Sequence, residues 1–368
     1  MTFTPPPYPY DRLDALRETA KGIFGRVIDC SIGTPCDPPP ADVVAALGTS
    51  GLERGYPTSA GSPQLRTAMS NYMARRFGVE VSPEGVGACV GTKEFVASTA
   101  QYLHLRDPEH DTVLFPEISY PTYAMGATLA GLRSVPVPTG ANGALLLDEI
   151  SGADADRALC LWTNSPSNPT GALDDLEAAA EWGRARQVPV LSDECYAEFT
   201  WSKPPQTILS GGMSGVLAVH SISKRSNLAG IRCGFYTGDP ELVSFLRGVR
   251  QHAGLMVPGP VQTAVEVAYN DDLHVEQQRV IYLRRLNKLA EALTVAGIPA
   301  TIPEGTFYLW VPVPSGESDA WTLAARLAEQ SGLIVSPGDL YGEAGKHFIR
   351  IALVVDDDDL DLVCERLS

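Results

Sequence analysis

The sequence predicts an α/β protein: a large domain built on a mainly parallel sheet between helices, joined to a smaller α+β domain. Three observations carry this. Between Gly91 and Thr237, short β-branched or apolar runs alternate with helical patterns, as expected of strands buried on both faces. Beyond about Leu242 the pattern becomes long helical periodicity followed by isolated strand-like runs, which suits a separate α+β unit. The 368 residues, 44% hydrophobic and 20% charged, suffice for two ordinary cores. The expected division is 1–45 as N-terminal arm and part of the small domain, 46–245 as the large domain, and 246–368 as the small C-terminal domain.

The first forty or so residues are proline-rich. Proline lacks the N–H that a regular element needs, so they read as an arm and loop. The apolar run Val86–Val90 precedes Gly91-Thr92-Lys93, which opens a helix over Glu94–Leu105. Strands follow at Thr112–Phe115, Ala158–Thr163, Val188–Ser192, Val216–Ser221 and Cys233–Thr237, with a helix at Leu173–Arg186. Pro260 to Ala296 is helical, broken only weakly. Strand-like Gly305–Val311, a helix at Trp321–Glu329, and strands near Leu333–Val335 and Phe348–Leu353 complete the pattern. The acidic tract Asp356–Asp359 reads as a solvated turn before the last helix.

Bulk properties exclude several functions. A formal charge of −16 argues against a nucleic-acid partner, which requires a basic face to displace counterions. Seven scattered cysteines without a CxxC pair suit reduced, packed thiols in a cytoplasmic protein, with no metal framework. The N-terminus lacks a signal pattern, and no run of about 18 apolar residues suggests a membrane span.

On a parallel sheet, ligands gather at the carboxyl ends of the strands, and the reactive-looking residues fall there. Lys224 follows the strand Gly215–Val219 in His220-Ser221-Ile222-Ser223-Lys224, with Arg232 eight residues on. This grouping suits an aldehyde cofactor with a phosphate tail, the amine condensing with the aldehyde and Ser221, Ser223 and Arg232 holding the phosphate. Asp193 ends an apolar strand with Tyr196 three residues later. The pair reads either as a carboxylate for a protonated ring nitrogen and a phenol for the ring oxygen, or as a helix cap with a packed tyrosine. Asn168, in Asn164-Ser165-Pro166-Ser167-Asn168-Pro169-Thr170-Gly171, is an amide donor to that oxygen or part of a plain turn. Gly91-Thr92-Lys93 marks a helix start suited to anions. Tyr120 is a ring-stacking or a core aromatic, and Tyr56 lies on a Gly/Pro-rich loop. Arg350 stands within an otherwise apolar strand, suiting a substrate carboxylate or a structural salt bridge. Gly33, in Ile32-Gly33-Thr34-Pro35, allows a close backbone approach to the same carboxylate.

In their order along the chain, Tyr56, Gly61, Leu65-Arg66, Gly91-Thr92-Lys93, Tyr120, Asn168-Pro169-Thr170-Gly171, Asp193-x-x-Tyr196, Ser221-x-x-Lys224, Arg232, Gly305-Thr306-Phe307-Tyr308 and Arg350 resemble the class I/II aminotransferases, pyridoxal 5'-phosphate enzymes of fold type I. The resemblance implies a seven-stranded sheet and a homodimer acting on amino acids and 2-oxo acids. It implies that Lys224 carries the cofactor and that Gly91, Thr92, Lys93, Ser221 and Arg232 cradle its phosphate, with Tyr56 reaching in from a second subunit. Asp193, Tyr196 and Asn168 would tune the ring, Tyr120 would stack on it, and Gly33, Asn168 and Arg350 would meet the substrate. Tyr120 stands where some relatives have Trp, and Arg225 where smaller residues are common. The loop 55–63 and Gly91-Thr92-Lys93-Glu94-Phe95 are similar to actinobacterial N-succinyldiaminopimelate aminotransferases of lysine biosynthesis. Such a dianionic substrate calls for further cations, for which Arg54, Lys93 and Arg225 are the candidates. An aspartate or broad-specificity aminotransferase, and a pyridoxal-phosphate β-lyase, are the alternatives. A cofactor-sensing regulator would carry a DNA-binding helix-turn-helix, for which Met1–Arg26 is too short.

Overall fold

The computed structural model describes residues 3–49 and 51–368. The chain divides into two compact units: a larger one of residues 38–280 with 304–306, and a smaller one of residues up to 37 with 281–303 and 307–368. The division falls at 37/38 and 280/281, where the sequence places it at 45/46 and 245/246.

Numbered along the chain, the strands are β1 Ile28–Asp29, β2 Val86–Cys89, β3 Thr112–Pro116, β4 Arg133–Val137, β5 Ala158–Asn164, β6 Val190–Asp193, β7 Val216–Ser221, β8 Gly234–Gly238, β9 Tyr308–Pro312, β10 Leu333–Ile334, β11 Ser336–Pro337 and β12 Phe348–Ala352. In the larger unit, seven of them form one sheet in the order β2-β8-β7-β6-β5-β3-β4. Pairing is parallel from β7 through β4, while β8 runs antiparallel to both β7 and β2. Every residue of β5, β6, β7 and β8 is buried, because helices cover both faces. Alternate residues of β7 serve opposite cores: Val216 and Ala218 join one hydrophobic cluster, Leu217 and Val219 the other, as the two-residue period of a strand requires.

The sequence reading misses β4. Its residues Arg133, Ser134 and Pro136 are exposed, and it sits at the sheet edge, where a proline costs no ladder bond. The long periodic stretch from Pro260 resolves into two helices, Gly259–Asn270 and Leu273–Val295. The second starts where Asp271 Oδ1 accepts from Leu273 N at 2.8 Å.

In the smaller unit, β11-β12-β9 form an antiparallel sheet and β1 pairs with β10 in parallel. The expected arm contains a helix, Asp14–Phe24. Leu13, Leu16 and Ala20 share one face at helical spacing and pack with Trp321, Ala328 and Ile334. Gly25 ends the helix with φ 72°, a left-handed conformation that glycine adopts without steric cost. The acidic tract also departs from expectation. Asp356 caps a helix over Asp357–Leu367 by accepting from Asp359 N at 2.8 Å, so the carboxylates occupy the first turn, where the helix dipole favours them. Among the described residues, no helix is long and apolar enough to cross a membrane.

Candidate active site

In the larger unit, β5, β6 and β7 end side by side at Asn164, Asp193 and Ser221, with Asn164 paired to Asp193 and Asp193 to Val219. Asn164 Nδ2 donates to Asp193 O at 2.8 Å and its Oδ1 accepts from Asn168 N at 2.7 Å. The Asn-rich turn is thereby tied to the end of β6, and Asn168 and Tyr196 are both buried. Lys224 follows β7 in the short turn Ile222–Arg225 and is half-buried. Ser221 Oγ caps that turn by accepting from Ser223 N at 3.2 Å.

Asp193 is buried, and its carboxylate is met by neutral donors, among them Tyr123 Oη at 2.9 Å and Cys195 N at 3.2 Å. Burial raises its pKa; the bonds from Cys195 and Tyr123 pull it back only in part. Tyr123 is held by stacking on Trp162, ring centroids 5.3 Å apart, and meets Tyr120 edge-on at 6.0 Å. Sequence reasoning weighs Tyr120 and passes over Tyr123, whose signal is its place three residues on in Tyr-x-x-Tyr. Tyr123→Phe removes a donor to a charge, worth about 1.5–3 kcal/mol. It should lower turnover roughly 10- to 100-fold and move the acid limb of the pH–rate profile upward, because Asp193 then loses a bond that lowers its pKa.

An anion cradle forms where β8 lies between β7 and β2. Gly234 pairs with both Ser221 and Cys89, which brings Arg232, two residues before it, to Gly91, two residues after Cys89. Gly91, φ 78°, caps the 15-residue helix Thr92–Arg106. A Cβ there would fall within 2.6 Å of Arg232 Cζ, so the guanidinium lies against the helix start, where the dipole favours anions. Arg232 is itself left-handed at φ 54° and is held by Nη1 donating to Ala229 O at 2.8 Å. Such strain costs about 1–3 kcal/mol and is typical of functional positions. Thr92 Oγ1 accepts from Cys195 Sγ at 3.2 Å, while the Lys93 side chain is exposed. The helix start is anchored by a pair that sequence reading misses: buried Arg250 donates to both Glu94 oxygens at 2.9 and 2.6 Å. Tyr56 is 99% exposed.

Arg225 is not available to a substrate, which corrects its candidacy for a distal carboxylate. It is 2% exposed and donates to Glu198 Oε1, Ala268 O, Asp271 O and Asp272 Oδ1 at 3.3, 2.7, 3.1 and 2.6 Å. Its Cζ lies 4.9 Å from the Tyr72 ring centroid. It thus fixes the turn carrying Lys224 to the surrounding helices. Arg225→Met breaks a buried ion network and should cost about 3–5 kcal/mol of stability, read by denaturant unfolding. Next to Ser221, His220 packs among Tyr72, Phe77 and Phe235, 3.2 Å from Glu194 Oε2.

Gly33 and Arg350 belong to the smaller unit, where Tyr308 brings them together. A Cβ on Gly33 would lie 2.8 Å from Tyr308 ring atoms, and Arg350 Cζ lies 4.2 Å from that ring's centroid. Arg350 is buried on β12 with its Nη2 donating to Ser31 O at 2.5 Å.

The model of the class I and II aminotransferases matches residues 26–367, and the chain belongs to that family. It is a pyridoxal-phosphate-dependent aminotransferase. It is 38% identical to the 4-dedimethylamino-4-oxo-anhydrotetracycline transaminase of Streptomyces rimosus, over 99% of each chain. It is 34% identical to the LL-diaminopimelate aminotransferase of Aquifex aeolicus, over 99% of this chain and 96% of that one. A solved probable N-succinyldiaminopimelate aminotransferase from Thermus thermophilus superposes with TM-score 0.86 at 29% identity, covering 97% of this chain and 98% of that one. The residues present fit the cofactor: a buried acid suits a cationic ring nitrogen, and a helix start packed by an arginine suits a phosphate.

Proposed function

We propose that the chain transfers an amino group between glutamate and the oxo group of N-succinyl-2-amino-6-oxopimelate, a step of lysine biosynthesis, working in the cytoplasm as a homodimer. The observation that carries the chemistry is the buried Asp193, held by Tyr123 on the strand beside the one that leads to Lys224. The name of the Thermus protein supports the N-succinylated substrate, and that of the Aquifex protein supports a diaminopimelate more generally. When bound, pyridoxal phosphate supplies an aldehyde for the substrate amine and a cationic ring that accepts the electrons of the Cα–H bond.

Each residue has a definite task in this reading. Lys224 holds the aldehyde between turnovers. Its Nζ, when free, would take the proton from the substrate's Cα. Asp193 would keep the ring nitrogen charged, Tyr196 and Asn168 would donate to the ring oxygen, and Tyr120 would cover the ring face. Gly91, Thr92, Lys93, Ser221 and Arg232 hold the phosphate, joined by Tyr56 of a second copy. Arg350 binds the α-carboxylate as a planar fork, with Gly33 allowing the backbone close to it. With Arg225 committed elsewhere and Lys93 assigned to the phosphate, the exposed Arg54 serves the distal carboxylates.

The Streptomyces relative favours a second reading, amination of a bulky cyclic ketone. The test mixes loaded enzyme with glutamate, aspartate, aromatic amino acids and N-succinyldiaminopimelate and follows the visible absorbance of the cofactor. Rapid change with glutamate and N-succinyldiaminopimelate, and little with the aromatics, is expected. Response to glutamate without N-succinyldiaminopimelate overturns the pimelate reading and turns attention to cyclic ketones. A fully active monomer overturns the role of Tyr56.

A further inference from the structure

In the smaller unit, besides its contact with the Tyr308 ring, Arg350 is held from two directions that lead back to the N-terminal helix. On one side Arg350 Nη2 donates to Ser31 O at 2.5 Å, which Ser336 Oγ also meets at 2.8 Å. Ser31 is fixed in turn by Asp29, whose Oδ1 accepts from Ser31 N at 2.9 Å and from Ser31 Oγ at 2.5 Å. On the other side the Arg350 guanidinium lies against the Tyr341 ring, 4.7 Å from its centroid, and Tyr341 Oη meets Tyr10 Oη at 3.0 Å.

One side chain ties the two routes together. Arg17, on the helix Asp14–Phe24, donates through Nε to Asp29 Oδ2 at 2.9 Å and through Nη2 to Ser31 Oγ at 3.3 Å. Its Nη1 donates to Asp14 Oδ1 at 2.8 Å and to Tyr10 O at 3.3 Å. Arg17 is therefore bonded at once to the residues that place Ser31 and to the residue that places Tyr341. A planar guanidinium binds a carboxylate well only at the right rotation about its own axis. With the Tyr308 ring on one side, Ser31 O and the Tyr341 ring contribute to setting that rotation for Arg350.

We infer that Arg17 is a positioning residue for carboxylate recognition: it holds the N-terminal helix, Ser31 and Tyr10 so that the Arg350 fork is presented in one orientation. The inference rests on the reading that Arg350 binds the substrate α-carboxylate. It places the effect of Arg17 in substrate affinity, since the bonds described above act on the orientation of Arg350. Lysine cannot replace Arg17, because a single ammonium cannot span four acceptors in fixed directions.

The test is the half-reaction of the loaded enzyme with glutamate, measured for Arg17→Met, Arg17→Lys, Tyr10→Phe and Arg350→Lys, with thermal melting of each variant. Expected is a rise of about tenfold in the glutamate concentration for half-maximal rate in both Arg17 variants, and about threefold in Tyr10→Phe, with maximal rates within twofold of wild type. Arg350→Lys should raise that concentration further. If Arg350→Lys does so and the Arg17 variants melt lower but bind glutamate normally, Arg17 is purely structural and the inference is overturned. If Arg350→Lys leaves glutamate affinity unchanged, the reading of Arg350 itself fails. Should Arg17→Met not fold, Tyr10→Phe, which deletes one hydroxyl, decides the matter: unchanged affinity overturns the coupling.

Discussion

Lys224→Arg is expected to abolish transamination, with a loss of at least about 10⁴-fold, and to remove the visible absorbance of the covalently held cofactor. The substitution keeps length and charge, so it isolates the chemistry of the amine. A guanidinium stays protonated at any working pH. It can neither attack an aldehyde nor accept a proton, and positioned proton transfer alone is worth about 10²–10⁴-fold. The fold should tolerate the change. Lys224 is half-buried in a short turn, and the packing of that turn depends on its neighbour Arg225, whose bonds reach Glu198 and Asp272. Normal far-ultraviolet circular dichroism and melting, together with absent turnover, is the expected pattern. Retained transamination would remove Lys224 from the mechanism.

The fold was more legible in the sequence than the site, for physical reasons. Strands β5, β6 and β7 are buried on both faces and read as apolar runs. The edge strand β4 carries Arg133, Ser134 and Pro136, whose pattern does not mark it as a strand. The N-terminal helix was obscured by the prolines around it, although Leu16 and Ala20, with Leu13 just before it, carry its apolar face. Within the site, each motif could be placed at a strand end by order alone. The neighbourhood of Gly91 and Arg232, however, depends on β8 inserting antiparallel between β2 and β7, which no local pattern encodes. Tyr123 and Arg250 were missed because their importance lies in partners 70 and 156 residues away. Arg225 was misread for the same reason. Its acceptors, Glu198 and Asp272, lie 27 and 47 residues off, and only the fold shows that its donors are committed.

Asp193→Asn separates what the site needs from what the fold needs. An amide cannot hold a positive charge at a ring nitrogen, and breaking a buried ion pair costs about 3–5 kcal/mol, which predicts a loss of roughly 10²- to 10⁴-fold in turnover. In the cofactor-free protein the effect on stability should be reversed. Burial holds the Asp193 pKa above that of an unfolded aspartate, about 3.9, so between those two values the folded chain binds more protons than the unfolded one. Stability therefore falls as pH rises through that window and stays lower above it. Asparagine does not titrate and escapes this loss. Denaturant unfolding of the cofactor-free proteins should find the variant at least as stable as wild type at pH 7, with the advantage shrinking as pH falls toward 4. The same variant should bind cofactor less tightly. A wild-type protein that gains stability relative to Asp193→Asn as pH rises would mean that the carboxylate is satisfied by the fold alone. Tyr123 and Cys195 would then be its true partners, and its charge would have no call for a cationic ring.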